Sequence, residues 1–162
     1  MVTKLMSRLA AIVLVFAVGC SNDMLGTSPR STTTPTSQEV EFCRHAMFIS
    51  STAEIQPVGL FRQPDFQFET VALKFDAKTP NIECIFKPEL IASSKLAKRE
   101  SPLGFGRTVS AQWWDPHLQE LTGFDCDSPP TNNSKTSALS IGVAKSVGDE
   151  YTVYVYARVN YE

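Results

Sequence analysis

The chain has 162 residues, 43% of them hydrophobic, and its 15 basic and 17 acidic residues give a formal net charge of -2. This length and apolar content suit one small globular domain with a packed core. Proteins that bind nucleic acid usually carry a basic stripe, and the densest basic cluster here is only Lys95, Lys98 and Arg99. We therefore expect no nucleic-acid partner.

The first twenty residues have the pattern of a secretion signal. Lys4 and Arg8 form a basic segment, residues 9–18 are apolar, and Gly19 and Cys20 provide small residues at a cleavage site. The apolar run is well short of the roughly 20 residues that a helix needs to span a bilayer. The pattern therefore predicts a signal peptide over residues 1–19 rather than a permanent transmembrane helix.

The end of this segment, Ala17-Val18-Gly19-Cys20, resembles the lipobox of bacterial lipoproteins. The resemblance implies that Cys20 becomes the N-terminus and carries acyl chains such as palmitate, which hold the protein on a membrane of the bacterial cell envelope, facing the periplasm. Two or three acyl chains, at about 0.8 kcal/mol per buried methylene, anchor a protein firmly. Ser21 resembles the pattern of lipoproteins passed to the outer membrane in diderm bacteria. The alternative is that Cys20 is an ordinary residue of a signal cleaved nearby.

The composition changes after this cysteine. Residues 21–38 are rich in Ser, Thr and Pro and hold almost nothing that a core could bury. Such a segment cannot offset the entropy of ordering it, so it predicts a flexible tether. The sequence thus divides into a signal peptide (1–19), a lipidated Cys20 with its tether (20–38) and a single globular domain (39–162).

The first part of the predicted domain contains three segments: a helix or strand, a loop, and a strand. Thr36 and Glu39 fit a capping box, so residues 39–48 are either a short amphipathic helix or a strand, with neither favoured. Residues 50–64 contain two prolines and a glycine and are predicted to be a loop. Residues 66–76 begin with strict alternation and contain aromatic and β-branched side chains, which predicts a strand.

The middle of the chain combines a helix signal with an irregular stretch. Thr79 and Pro80 are typical of a helix start, and apolar residues follow at helical spacing, which predicts a helix over residues 80–98, kinked or restarted at Pro88. Prolines and glycines interrupt residues 99–127, where only residues 108–113 could form a short strand. Residues 128–137 are predicted to be an exposed loop.

The end of the chain predicts a β-hairpin, with strands over residues 138–147 and 151–161 joined by Gly148, Asp149 and Glu150. The second strand is apolar on both faces, so it is either an interior strand or has one face for a partner, and we favour the interior strand. The fold class predicted from all elements is α+β, a small antiparallel sheet with one principal helix and a C-terminal β-hairpin.

Three cysteines follow Cys20, and a disulfide is permitted outside the cytoplasmic membrane. Cys84 has apolar neighbours and is predicted to be buried, which makes Cys43 and Cys126 the favoured pair, although the other two pairings stay open. The chain contains no Cys-x-x-Cys, so neither a zinc ribbon nor a thioredoxin-like redox centre is indicated. We expect no metal and no cofactor.

Three residues near the middle of the chain raise the question of a catalytic site. His117, Asp115 and Cys126 could in principle supply a base, an orienting carboxylate and a nucleophile. Asp115 is followed by Pro116, however, and this pair is typical of a turn start. His45 has no second histidine or carboxylate at ligand spacing. We therefore expect that the protein is not an enzyme.

The two tryptophans, Trp113 and Trp114, are adjacent in the sequence. Neighbours in an extended segment point to opposite faces, so one can enter the core while the other reaches solvent. Joined by Phe105, Arg107 or tyrosines of the C-terminal hairpin, the outward ring would form the aromatic and arginine surface that is typical of a partner-binding hot spot. The alternative, which we favour, is that both rings pack against the sheet.

Together these features predict a lipid-anchored, non-enzymatic envelope protein that acts as a binding or structural module. Its partners would be the membrane, through the lipid, and an envelope protein or polymer. The alternative is an inhibitor or immunity protein that blocks a toxin or a lytic enzyme. In that case the predicted loop over residues 123–137, with Asp125 and Asp127, would be inserted into the active site of the target.

Overall fold

The computed structural model describes residues 28–93, 97–98, 109–130 and 135–161. Seven strands form one antiparallel sheet in the order β1-β2-β3-β7-β6-β5-β4. The strands are β1 Arg30–Thr32, β2 Ile55–Pro64, β3 Phe68–Lys78, β4 Ala97–Lys98, β5 Thr122–Cys126, β6 Thr136–Lys145 and β7 Glu150–Asn160. The helices are α1 Ser37–Ala46 and α2 Pro88–Ser93, with 3₁₀ turns at Ile82–Ile85 and Pro116–Leu118.

The predicted α+β class is wrong, because the sheet dominates the fold. Strands contain 45% of the described residues and helices 20%. The C-terminal hairpin of β6 and β7 is confirmed, and β7 is an interior strand because it pairs with β3 on one side and β6 on the other. Gly148 in the turn has φ +67°, a left-handed conformation that glycine adopts without steric cost.

The main core lies between one face of the sheet and the two helices. Alternate residues of the central strands point to this face, among them Val71, Leu73 and Phe75 from β3 and Val153 and Val155 from β7. The helices contribute the buried side chains of Cys43, Ala46 and Leu90. We call this side of the sheet the helix face. The intervening residues of the same strands point to the opposite side, which we call the open face.

The capping box predicted at Thr36 is present and selects the helix over the strand alternative for α1. The Thr36 hydroxyl accepts a hydrogen bond from the Glu39 N–H, and the Glu39 carboxylate accepts one from the Thr36 N–H. Phe48 follows the helix with φ +56°, a conformation unfavourable for a bulky residue. Its side chain is fully buried in the main core, which offsets this cost.

Several predicted element bounds are wrong. The predicted loop over residues 50–64 contains β2, and the predicted helix over residues 80–98 is a 3₁₀ turn followed by the short α2, which begins at Pro88. Residues 109–113 contain no strand, whereas β5 lies within the stretch predicted to be irregular. β1 lies within the range 20–38 that was predicted to be a tether.

The antiparallel sheet has two ends that matter for function. At one end β2 turns into β3 through residues 65–67, and we call it the β2–β3 end. Because Arg30 of β1 pairs with Arg62 of β2, the chain that precedes β1 also reaches the sheet at this end. At the other end β6 turns into β7 through residues 146–149, and we call it the β6–β7 end. Ten residue steps along β7 separate the two ends by about 33 Å.

Candidate functional site

Residues 109–121 cross the open face of the sheet, and we call them the cover segment. A turn brings the Trp114 N–H onto the Ala111 carbonyl, and the 3₁₀ turn Pro116–Leu118 follows. The segment forms a second, smaller core with the open face. Its buried members are Phe61, Ala72, Val109, Trp114, Leu121, Ala144, Tyr154 and Tyr156. The predicted tryptophan site therefore lies on the side of the sheet opposite the helices.

Trp113 lies directly on the backbone of β2. A Cβ atom added to Gly59 would be 2.3 Å from Cδ2 of the indole, so the ring occupies the space that any side chain there would need. The indole Nε1 donates a hydrogen bond of 3.0 Å to the Ser31 hydroxyl of β1. Trp113 is half-buried. Its contacts with Gly59 and Ser31 link the cover segment to β2 and β1, the two strands at this edge of the sheet.

Trp114 is buried, with 6% of its surface exposed. Its ring is nearly perpendicular to those of Trp113 and Tyr154, with centroids 5.8 Å and 5.5 Å away, an edge-to-face geometry that is favourable for aromatic pairs. Its Nε1 has no hydrogen-bond partner among the described residues. Both tryptophans thus pack on the sheet, as in the favoured alternative, and Arg107 lies outside the described residues. Partner contact through Trp113, Trp114 and Arg107 stays a prediction.

A polar contact at Asp115 fixes the cover segment to the centre of the open face. Its carboxylate accepts hydrogen bonds from Lys74 Nζ at 2.6 Å and from the Tyr154 hydroxyl at 2.8 Å. Lys74 also donates to the Trp113 carbonyl at 3.1 Å. Burial opposes ionisation of Asp115, but the bonds from Lys74 and Tyr154 outweigh it and hold the pKa of this carboxyl below its usual value. Burial and the neighbouring carboxylate raise the pKa of Tyr154.

The residues considered for catalysis do not come together. His117 is exposed on the cover segment, on the open face. Cys126 packs against the core of the helix face, so the sheet separates it from His117. Asp115 bonds to Lys74 and Tyr154 rather than to a histidine. The arrangement of a nucleophile beside a base, which covalent catalysis requires, is therefore not formed by these three residues.

The three cysteines after Cys20 are free thiols in the structure, so the predicted disulfide between Cys43 and Cys126 is not formed. Cys43 is fully buried in α1, and burial raises the pKa of its thiol to about 12. The prediction that Cys84 is buried is wrong, because this residue lies in the 3₁₀ turn with its side chain in solvent. Its neighbour Ile85 faces the core instead.

A groove of about 660 Å³ lies at the β6–β7 end. It is lined by Arg44 and by residues 53–56, 76–78, 146 and 150–152, which come from α1, β2, β3 and the β6–β7 hairpin. Its size is in the range of ligand-binding clefts, although most such clefts are more apolar. Arg44 is held in place by hydrogen bonds to the Ser50 and Ala53 carbonyls, at 2.7 Å and 2.9 Å. The lining of the groove thus includes both positively and negatively charged side chains, and hydrogen bonds hold Arg44 in position.

No pattern in the sequence indicates this groove, because its residues come from the ends of separate elements. Glu54 and Gln56 lie in the stretch predicted to be a loop, and Asp76 and Lys78 lie at the end of a strand. Asp76 accepts a hydrogen bond of 2.7 Å from the Thr152 hydroxyl across β3 and β7. Only the register of β2, β3 and β7 brings these positions together, and no local motif indicates that register.

Within the described ranges, no group of three or more His, Cys, Asp or Glu side chains is placed to hold a metal ion. No helix in these same ranges is long and apolar enough to cross a membrane. No protein-family model matches the sequence, and neither curated proteins nor solved structures give a significant match.

Proposed function

We propose that this protein is a lipid-anchored protein of the bacterial cell envelope that acts as a non-catalytic binding module. Cys20 carries the lipid, the membrane is that of the envelope (the outer membrane in a diderm organism), and the groove at the β6–β7 end receives the partner. The lipobox resemblance at Ala17 to Cys20 supports the anchor. The groove, built on a rigid sheet, supports the binding role.

The single observation that carries this proposal is the position of the groove relative to the N-terminal chain. The chain from Cys20 reaches the sheet at Arg30, which pairs with Arg62 at the β2–β3 end. The groove is lined by residues at the other end of the same strands, about 33 Å away along β7. In a protein held at Cys20, the groove would therefore lie at the end of the sheet that is farther from the point of attachment.

The lining of the groove favours a polar partner. Glu54, Asp76 and Glu150 contribute carboxylates, whereas Arg44 and Lys78 contribute cations. Such mixed charge suits a segment of an envelope protein or polymer that has hydrogen-bonding groups and charges of both signs, and it disfavours a ligand of one strong charge. Complementary charge at an exposed rim contributes more to specificity and association rate than to affinity.

The inhibitor or immunity alternative has less support. It relied on a loop over residues 123–137 as the inserted segment, but Thr122–Cys126 forms β5 within the sheet. Asp125, one of the two carboxylates expected in that loop, accepts a hydrogen bond from the Ser140 hydroxyl of β6. A side chain held on the sheet in this way is poorly placed to enter an enzyme cleft. Residues 131–134 lie outside the described part of the chain.

The test is site-specific photocrosslinking of the full-length protein in cells. A photoreactive residue replaces Gln56 in the groove or, as the control, Gln119 on the cover segment, since both positions are exposed. We expect a defined adduct from position 56, none from position 119, and loss of the adduct when Lys78→Glu is added. No adduct at position 56, or the same adducts at both positions, would contradict a binding role for the groove.

A further inference from the structure

The β2–β3 turn presents a phenylalanine to solvent on a well-defined backbone. The Phe66 side chain is 92% exposed. Its N–H donates a hydrogen bond of 2.6 Å to the Asp65 carboxylate, and the Asp65 N–H donates one of 2.8 Å to the Phe68 carbonyl. The two bonds close a tight turn, so Phe66 projects from a rigid structure. An aromatic ring held in water in this way forgoes the free energy that its burial would contribute.

A second exposed aromatic residue lies beside this turn. Tyr161 follows β7, is 47% exposed, and donates its N–H to the Gln67 carbonyl at 3.1 Å. Phe68, the first residue of β3, is covered by the Arg158 guanidinium, whose central carbon is 4.4 Å from the ring centroid. The two exposed rings, Phe66 and Tyr161, therefore form one aromatic tip at the β2–β3 end.

The charged side chains around the aromatic tip are of both signs. Arg30 and Lys135 are exposed at this end, and Asp65 is an exposed acid within the turn. The partly exposed Glu39 carboxylate lies close enough to Arg30 for their charges to attract. Arg62 is engaged by the Glu69 carboxylate through two hydrogen bonds of 2.6 Å and 2.7 Å, so that pair adds no net charge. Exposed aromatic side chains are typical of surfaces that lie in the headgroup interface of a bilayer, where neighbouring Arg and Lys side chains can contact lipid phosphates.

The N-terminal chain limits how far the aromatic tip can be from a lipid on Cys20. Ser28, the first described residue, precedes β1 at the β2–β3 end, and eight residue steps separate it from Cys20. Eight residues cannot span more than about 29 Å even when fully extended. The β6–β7 end lies about 33 Å beyond the tip along β7. Of the two ends, the aromatic tip is thus the one kept near the bilayer.

We infer that the aromatic tip is a second membrane contact, in which Phe66 and Tyr161 enter the interface of the bilayer that holds the lipid. The inference rests on the proposed anchor at Cys20 and adds to it an orientation of the sheet relative to the membrane. With both contacts in place the long axis of the sheet stands away from the membrane. The groove is then held at a fixed height rather than free to tumble on the N-terminal chain.

The test is depth-dependent fluorescence quenching with the full-length, acylated protein in vesicles of phosphatidylethanolamine and phosphatidylglycerol that contain brominated lipid. Phe66→Trp reports on the tip. Val147→Trp is the matched control, because Val147 is an apolar residue in a turn, is 82% exposed, and lies at the β6–β7 end. Trp113 and Trp114 give the same background in both variants. We expect the emission added at position 66 to fall by roughly half, since interfacial side chains lie 5 to 10 Å deep, and the emission added at position 147 to be unchanged.

Two results would overturn the inference while leaving the anchor intact. One is equal quenching at positions 66 and 147 in protein whose mass shows acylation of Cys20. The other is a photoreactive residue in place of Phe66 that crosslinks in cells to a protein rather than to lipid. Failure of the anchor itself is recognised separately, because the mass of the membrane-extracted protein would then show no lipid on Cys20, and the membrane contact would fail with it.

Discussion

The close packing of Trp113 on Gly59 makes a sharp prediction about the cover segment. In Gly59→Ala the new Cβ would lie 2.3 Å, 2.4 Å and 2.7 Å from Cδ2, Cε2 and Cγ of the indole. Carbon atoms in good contact are about 3.5 to 4.0 Å apart, so the ring must retreat by more than roughly 1 Å. Gly59 pairs with Lys74 of β3, so a backbone shift of this size would disrupt that pairing.

The energetic cost follows from what the retreat disrupts. Overpacking of this kind costs about 1 to 3 kcal/mol. Movement of the ring also weakens the hydrogen bond to Ser31, worth about 0.5 to 1.5 kcal/mol, and the edge-to-face contact with Trp114, worth a similar amount. We therefore expect Gly59→Ala to lower the free energy of unfolding by about 2 to 4 kcal/mol.

The assay is urea denaturation followed by far-UV circular dichroism, with tryptophan emission recorded separately. Gly148→Ala is the control, because Gly148 has a positive φ and open space around it, so its substitution strains the backbone without touching either tryptophan. Gly59→Ala should lower stability and shift the emission to longer wavelength as Trp113 becomes more exposed. Gly148→Ala should lower stability by about 1 kcal/mol with an unchanged emission spectrum.

A double-mutant cycle separates the steric clash from a general effect on β2. In a Trp113→Ala background the indole is gone, so adding Gly59→Ala should change stability by less than about 0.5 kcal/mol, and the coupling between the two positions should be about 2 kcal/mol or more. A Gly59→Ala protein as stable as the wild type would show that the indole of Trp113 does not clash with the new Cβ. An equal loss of stability with Ala and with Trp at position 113 would show the same.

Two further predictions concern ionisation. Because the folded pKa of Asp115 is lowered, its contribution to stability is complete above the unfolded value of about 3.9 and is lost as the pH falls through the folded value. Asp115→Asn should thus cost about 1.5 kcal/mol at pH 7, and its urea midpoint should approach that of the wild type below pH 4, whereas a constant difference would contradict the pairing with Lys74. For the thiols, native protein treated with iodoacetamide at pH 8 should be modified at exposed Cys84 and protected at Cys43, whose thiol is buried with a pKa raised to about 12. Peptide mass spectrometry showing equal rates at both sites would contradict this burial.

The start of α1 and the C-terminal hairpin could be predicted from the sequence, because both depend on interactions between residues that are close together in the chain. The capping box at Thr36 and Glu39 specifies the start of α1, and the alternation of β7 with the turn at Gly148 specifies the hairpin. Each of these features is satisfied by residues within a few positions of one another. The interior position of β7 was predicted for a similar reason, since both faces of this strand are apolar.

The errors arose where distant contacts decide the structure. β2 contains Pro57, Gly59 and Pro64, which locally indicate a loop. They are tolerated because the ladder to β3 is irregular between Pro57 and Gly59, and because β1 pairs only with the residues around Phe61. Gly59 itself is explained by Trp113, more than fifty positions later in the chain.

The segment predicted to be a long helix and the β2–β3 turn were also predicted incorrectly, because local apolar spacing does not determine their structure. Apolar spacing predicted one helix over residues 80–98, but Phe86 leaves the helical path to form a bridge with Ile49, so the chain forms a 3₁₀ turn and then α2. This local geometry turns Cys84 outward. Phe66 was predicted to begin a strand, whereas its exposure follows from the turn closed by Asp65. Neither arrangement is encoded by apolar periodicity alone.

The proposed anchor at Cys20 is tested by the intact mass of the full-length gene product extracted from the membrane fraction, compared with that of Cys20→Ser. We expect the wild-type mass to equal a chain that begins at Cys20 and carries a diacylglyceryl group and an amide-linked acyl chain. The Cys20→Ser protein should carry no lipid and leave the membrane fraction. A wild-type chain that retains Met1, or one that begins elsewhere without lipid, would contradict the anchor, the outward groove and the membrane contact of Phe66 together.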